Sequence, residues 1–196
     1  MIKESKRQWD PKIISTLDED IDIYIDGARH LPDNVTITRV NAQIVDMNFK
    51  DQERAVSGLA VIEMSTLRNQ HYGIKLEIRL PPNKKLSPSS LLYITLETLD
   101  ISNNEARVVG KTCHPLYVHA TKGDKYSLPI VSEKATDPSL YLGSYQIGIY
   151  SILPNHTVPF TYEKIMYHPR VPTTTLLIRM MRAPLDPTTG KSINSS

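Results

Sequence analysis

A chain of 196 residues with 40% hydrophobic content is long enough to bury one core and to carry extensions on it, and 23 basic against 21 acidic residues leave a formal net charge of +2. That balance argues against a nucleic-acid protein, whose basic residues gather into a patch. No apolar run reaches the roughly 18 residues of a membrane span, MIKESKRQWDPK lacks the apolar stretch of a signal peptide, and one cysteine, Cys113, excludes an internal disulfide. A reducing compartment is therefore expected, cytoplasmic or cytoskeletal, and the Asn-X-Thr/Ser triplets at Asn34, Asn155 and Asn194 read as chance.

The first 18 residues are polar and charged around a lone Trp9 and read as an extended arm. The first strand follows: Ile21, Ile23 and Ile25 alternate with Asp22, Tyr24 and Asp26, which puts the isoleucines on one face and the carboxylates on the other. Residues 36–46 repeat the pattern with Val40, Ala42 and Ile44 against Asn41 and Gln43. The continuous apolar run at 59–62 suits a short strand buried on both faces. Residues 72–80 alternate most clearly, with Ile74, Leu76, Ile78 and Leu80 inward and Lys75, Glu77 and Arg79 outward. In residues 91–99, Leu92, Ile94 and Leu96 oppose Tyr93, Thr95 and Glu97. Shorter strands are expected at 107–109 and 116–118, and two longer ones at 143–150 and 174–182. Turn-forming stretches such as Pro81-Pro82-Asn83 and Ser102-Asn103-Asn104 separate them. Many short strands and almost no helix periodicity predict an all-β fold, an antiparallel sandwich of about eight strands over 19–182. Within it, 154–172 is a loop rich in proline and aromatics, and 183–196 is a polar C-terminal tail.

Several of these segments resemble the C2-domain superfamily. IDIYIDGARHLPD at 21–33 is similar to the opening strand and top loop of a C2 domain. LLYITLETLDISNNEARVVG at 91–110 resembles the segment in which a strand runs into acidic loop residues and a Val-Gly pair follows. Residues 112–118 resemble the next strand, and VPTTTLLIR at 171–179 the closing one. The resemblance implies an eight-stranded antiparallel C2-like sandwich with extended terminal arms, and a module that binds without catalysing.

Calcium-binding C2 domains hold about five carboxylates on two facing loops, because a hard cation takes six to eight oxygens. At the matching positions this chain has Asp33 in the first loop, and Asp100 and Glu105 with Ser102, Asn103 and Asn104 in the other. That set is too small, so neither calcium nor another cofactor is expected. C2 domains also use a basic sheet face for anionic phospholipid; here Lys75, Arg79, Lys84 and Lys85 would form it, with Glu77 between the first two. Cys113, His114 and His119 lie close in sequence, but zinc needs four converging ligands, and in a strand Cys113 and His114 point to opposite faces. One buried cysteine and exposed histidines are expected instead. No G-x-S-x-G, H-E-x-x-H, Walker or G-x-G-x-x-G pattern occurs; an enzyme would need a constellation assembled in space, such as His114, His119 and Asp124. For partner binding the candidates are Trp9, Phe160, Tyr162 and Tyr167, aromatics that supply contact area beside prolines that stiffen an extended segment.

GARHLPDNVT, Tyr145-Gln146-Ile147 and PRVP give this sequence the texture of C2 domains in ciliary and other cytoskeletal scaffold proteins. That resemblance implies a structural component of a microtubule-based assembly, held by protein partners and not by nucleic acid. The alternative is a calcium-independent peripheral domain on an anionic membrane.

Overall fold

A computed structural model describes residues 20–79, 86–100, 102, 105–119, 138–152, 158 and 160–193, with the backbone alone for 51–54. Trp9, Leu80, Lys84, Lys85, Asn103, Asn104 and Asp124 lie outside the described residues, as do the 1–18 arm and the end of the tail.

The alternating segments become strands because each has one apolar face to bury. In chain order they are β1 (Ile21–Arg29), β2 (Thr38–Val45), β3 (Asp51–Leu59), β4 (Asn69–Ile78), β5 (Leu91–Asp100), β6 (Glu105–Pro115), β7 (Tyr117–His119), β8 (Pro138–Leu140), β9 (Gly143–Tyr150) and β10 (Arg170–Arg182). Eight of them form one antiparallel sheet in the order β3-β2-β5-β6-β9-β10-β1-β4, and β7 pairs with β8 apart from it. The sheet curls until it is nearly a barrel. Its edge strands β3 and β4 meet where Gly58 lies against Ile74: a Cβ at Gly58 would stand 2.7 Å from the isoleucine side chain. The connection is thinnest between β6 and β9, which share the single pair Lys111↔Tyr150. Two four-stranded halves result, β3-β2-β5-β6 and β9-β10-β1-β4.

The core lies between these halves. Ile23, Ile25, Leu76, Ile78 and Ile178 meet Val40, Ile44, Leu92, Ile94 and Leu96, all buried. The inward sets expected for β1, β2, β4 and β5 are thus the observed ones, as far as they are described. β1 keeps its apolar face through a bulge between Ile25 and Gly27. Glycine is required there, because a Cβ on Gly27 would collide with the Gln70 carbonyl of β4.

Two sequence expectations fail. The run at 59–62 is not a doubly buried strand: β3 ends at Leu59, and the chain leaves the sheet through a 3₁₀ turn at Ile62–Met64. Only Ala60 goes inside, while Leu59 is 56% and Ile62 67% exposed. β3 itself escaped notice because it begins with charged residues. Residues 107–109 are not a separate strand either; β6 runs through Gly110, with Val109 as the extra residue of a bulge. Gly110 lets β6 approach Tyr150, whose carbonyl would lie 2.8 Å from a Cβ.

Residues 183–193 close into a turn through a Leu185↔Ser192 bridge. The Asp186 carboxylate accepts from the N–H groups of Thr188 and Thr189 at 2.7 and 3.1 Å, and Gly190 supplies the left-handed residue (φ 65°). Those two hydrogen bonds hold the Asp186 carboxyl below its usual range.

Candidate interaction surface

At one end of the barrel, β1, β3 and β5 finish and β2, β4 and β6 begin, so three connections converge. A polar network built on Gln70 of β4 knits them together. Its side-chain oxygen accepts from the Thr38 N–H at 2.9 Å and the Thr38 hydroxyl at 2.6 Å, and its amide donates to the carbonyls of Thr36 and Leu67. The Tyr72 hydroxyl joins Thr38, and burial pushes that phenol's pKa upward. On the far side Thr98 of β5 donates to the Ile37 carbonyl, and the Thr36 hydroxyl donates to the Leu99 carbonyl at 2.9 Å. The Leu31 N–H donates to the Arg68 carbonyl at 3.0 Å, and the Arg107 guanidinium to the Asn34 carbonyl at 3.1 Å. All three loops are therefore cross-tied, around Gln70 and Thr38 by buried amide and hydroxyl groups and at the rim by the exposed Arg107–Asn34 contact. Two non-glycine residues at this end, His30 (φ 55°) and Thr173 (φ 57°), have left-handed backbone, unusual for a β-branched residue such as Thr173. The neighbouring Thr174 hydroxyl ties this corner by donating to the His30 carbonyl at 2.9 Å.

Outside the network the loops present large apolar side chains. Ile62, Met64 and Leu67, all between β3 and β4, are 67%, 66% and 71% exposed, and the 3₁₀ turn buries none of its residues. Leu59, Val61, Ile37, Leu99 and Val108 extend the patch. Its charges are mixed: Arg29, Arg68 and Arg107 stand among Asp33, Glu63, Asp100 and Glu105. Sequence reading missed this surface because the run at 59–62 was taken for buried strand; the acidic Glu63 directly after the run was the available signal.

The calcium-loop candidates sit at the same end, spread around it. Asp33 is exposed and lies 3.5 Å from the Arg68 guanidinium. Asp100 accepts from the N–H and hydroxyl of Ser102. Glu105 is exposed at the start of β6. Among the described residues no three His, Cys, Asp or Glu side chains are arranged to hold a metal ion.

The described part of the candidate lipid face, Lys75 and Arg79, lies elsewhere, on the outer side of β4 and β1, and both cations are engaged. Asp22 is only 1% exposed; its carboxylate is 2.6 Å from Arg79 and 3.0 Å from Lys75, and Lys75 also donates to Glu77 at 2.6 Å. The bond to Glu77 first, and Asp22 second, hold the Lys75 ammonium above its usual range, against some desolvation. Arg79 further donates to the carbonyls of Ile21 and Ile193, so the C-terminal turn is pinned over this pair. Beside them Arg179 grips Asp26 through two hydrogen bonds of 2.6 and 2.8 Å and covers the Tyr24 ring.

Of the aromatic candidates, Phe160 lies on its own fold, with ring centroids 5.7 Å from Phe49, 6.1 Å from Tyr93 and 5.0 Å from His168. Tyr162 is half-buried, and burial pushes its phenol up to about 12. Tyr167 is 71% exposed beside Met166 at 82%.

Cys113 and His114 do point to opposite faces of β6: Cys113 pairs with outward Tyr93, and His114 with inward Leu92. The expectation of exposed histidines fails at His114, which is 7% exposed, and at His168, at 4%. Burial pushes the Cys113 thiol up to about 12 and the His114 imidazole down to about 4. No helix among the described residues is long and apolar enough to cross a membrane. No family model matches this chain, and no curated protein matches it.

Proposed function

We propose that this chain is a non-catalytic, C2-type interaction module that docks a protein partner through its three-loop end. The observation that carries the reading is the exposure of Ile62, Met64 and Leu67 on loops that a buried hydrogen-bond network holds in place. Several large apolar side chains exposed at one end of a fold mark an interaction site, and a cross-tied loop loses little entropy when it binds. The order of the C2-like sequence segments and the division of the sheet into two four-stranded halves support a C2-like sandwich. The scaffold role, as a structural component of a cytoskeletal and ciliary microtubule assembly, follows from the resemblance of GARHLPDNVT and PRVP to such domains.

A protein partner is favoured over an anionic bilayer on charge. Arg29, Arg68 and Arg107 are balanced at the loop end by Asp33, Glu63, Asp100 and Glu105, so no net positive field draws in acidic lipid. On the sheet face, Lys75 and Arg79 are committed to Asp22 and Glu77. Two assays on the same variants test the reading: incorporation into the native assembly, and co-sedimentation with vesicles containing phosphatidylserine. Ile62→Ser/Met64→Ser/Leu67→Ser should abolish the first, and the parent chain should not sediment in the second.

A further inference from the structure

The weakest backbone connection in the sheet is closed by rings. β6 and β9 share only Lys111↔Tyr150. Beyond that pair His114 of β6 packs against Tyr145 of β9, with ring centroids 4.4 Å apart and planes tilted by 45°, and stacks on Tyr141 just before β9, at 5.2 Å and 17° between planes. Tyr141 and Tyr145 are themselves 4.6 Å apart. The Tyr145 hydroxyl donates to the carbonyls of Tyr141 and Leu142 at 3.0 and 2.9 Å, which fixes its ring. His114 Nε2 is buried with no hydrogen-bond partner.

We propose that the His114–Tyr145–Tyr141 stack is an acid-sensitive stitch between the two halves of the sheet, closed when the imidazole is neutral and opened by its protonation. Among the described residues the surroundings offer a cation no hydrogen-bond partner at Nε2. Leu92 of β5 faces His114 across the ladder. Among the described residues the titratable groups around it are the phenols of Tyr141 and Tyr145 and, on the other face of β6, the Cys113 thiol with Tyr162 nearby. Burial acts against the charged form of the imidazole. A buried imidazolium has two N–H donors to satisfy, and Nε2 has no acceptor in reach. The tyrosine faces can attract a cation, but at a strength below the cost of an unpaired buried charge.

The sign follows from linkage. With the closed-state imidazole near 4 and the opened one at its ordinary 6.5, the opened form binds more protons between those values, so closure is fully present above about pH 6.5 and weakens as pH falls toward 4. Between pH 8 and pH 5 the opening equilibrium should rise about 30-fold.

Amide hydrogen exchange, corrected for its intrinsic pH dependence, reads this directly. In the parent chain the amides of Lys111 and Tyr150, the pair that joins β6 to β9, should show the rise, while those of Ile23 and Leu76 in the opposite core should not. His114→Phe, which keeps a stacking ring without a proton to gain, should be flat across the range. An equal rise in His114→Phe, no rise in the parent chain, or the same rise at Ile23 and Leu76 would each overturn the proposal. Should His114→Phe not fold, NMR titration of the parent imidazole decides: a midpoint below about 5 accompanied by shifts of the Tyr141 and Tyr145 rings supports the stitch, and a midpoint near 6.5 with those rings unmoved refutes it.

Discussion

The Gln70 side-chain oxygen accepts from both the N–H and the hydroxyl of Thr38, at 2.9 and 2.6 Å, and so joins β4 to β2 where no backbone ladder does. Both residues are buried, Thr38 completely. A calcium-dependent C2 domain would gather these loops around a cation; here amides and hydroxyls occupy the junction. Gln70→Leu strips partners from a buried N–H and two carbonyls, and should cost about 2–3 kcal/mol in urea denaturation. Exchange protection should fall first at Leu31, Thr36 and Leu99, whose N–H groups lie within the network.

Millimolar calcium should leave the melting temperature unchanged. Asp33 and Asp100 answer to Arg68 and Ser102, and a cation bound to the folded state would raise stability by RT ln(1 + [L]/Kd). An increase of about 5 °C that disappears in Asp100→Asn would contradict the loop assignment.

The buried carboxylate of Asp22 makes a sharper demand on its partners. Arg79→Ala leaves that carboxylate with Lys75 alone and frees the C-terminal turn at Ile193. The loss should be about 3 kcal/mol, comparable to a core truncation such as Leu76→Ala at roughly 2–5 kcal/mol. Lys75→Ala should cost less, since Lys75 is 23% exposed and Arg79 remains, yet more than the 0.5 kcal/mol or so of an ordinary surface change. Equal, negligible losses at both cations would show that Asp22 is solvated.

Phe160 and Tyr167 should separate in the same assay. Phe160→Ala removes the ring between Phe49, Tyr93 and His168, and should destabilise by about 1–3 kcal/mol. Tyr167→Ala touches an exposed ring and should be close to neutral. The reverse order would move Phe160 off the sheet.

Strands with a period of two and one dry face, such as β1 and β4, were legible from sequence alone, because alternation of Ile and Leu with charged residues admits one geometry. Composition misled at 59–62, where an apolar run reads the same whether a strand is buried or a loop is bare. The Gln70 hub left no trace, since Thr36 and Thr38, which it ties to β4, lie more than 30 residues away in sequence, and a lone glutamine has no pattern to detect. His114 was legible as an inward position of β6 only once the strand register was known. The ion pairs of Lys75 and Arg79 were half visible: Glu77 is in the same strand, but Asp22, the partner that buries them, arrives from β1.

The central claim, docking through the loop end, is tested most directly by incorporation of Ile62→Ser/Met64→Ser/Leu67→Ser into the native assembly, alongside its thermal melt. These side chains are already two-thirds exposed, so the variant should melt within a few degrees of the parent. Its affinity for the assembly should fall by about 30-fold or more, the loss expected when a central apolar anchor is removed. Full incorporation of a folded triple variant would contradict the account.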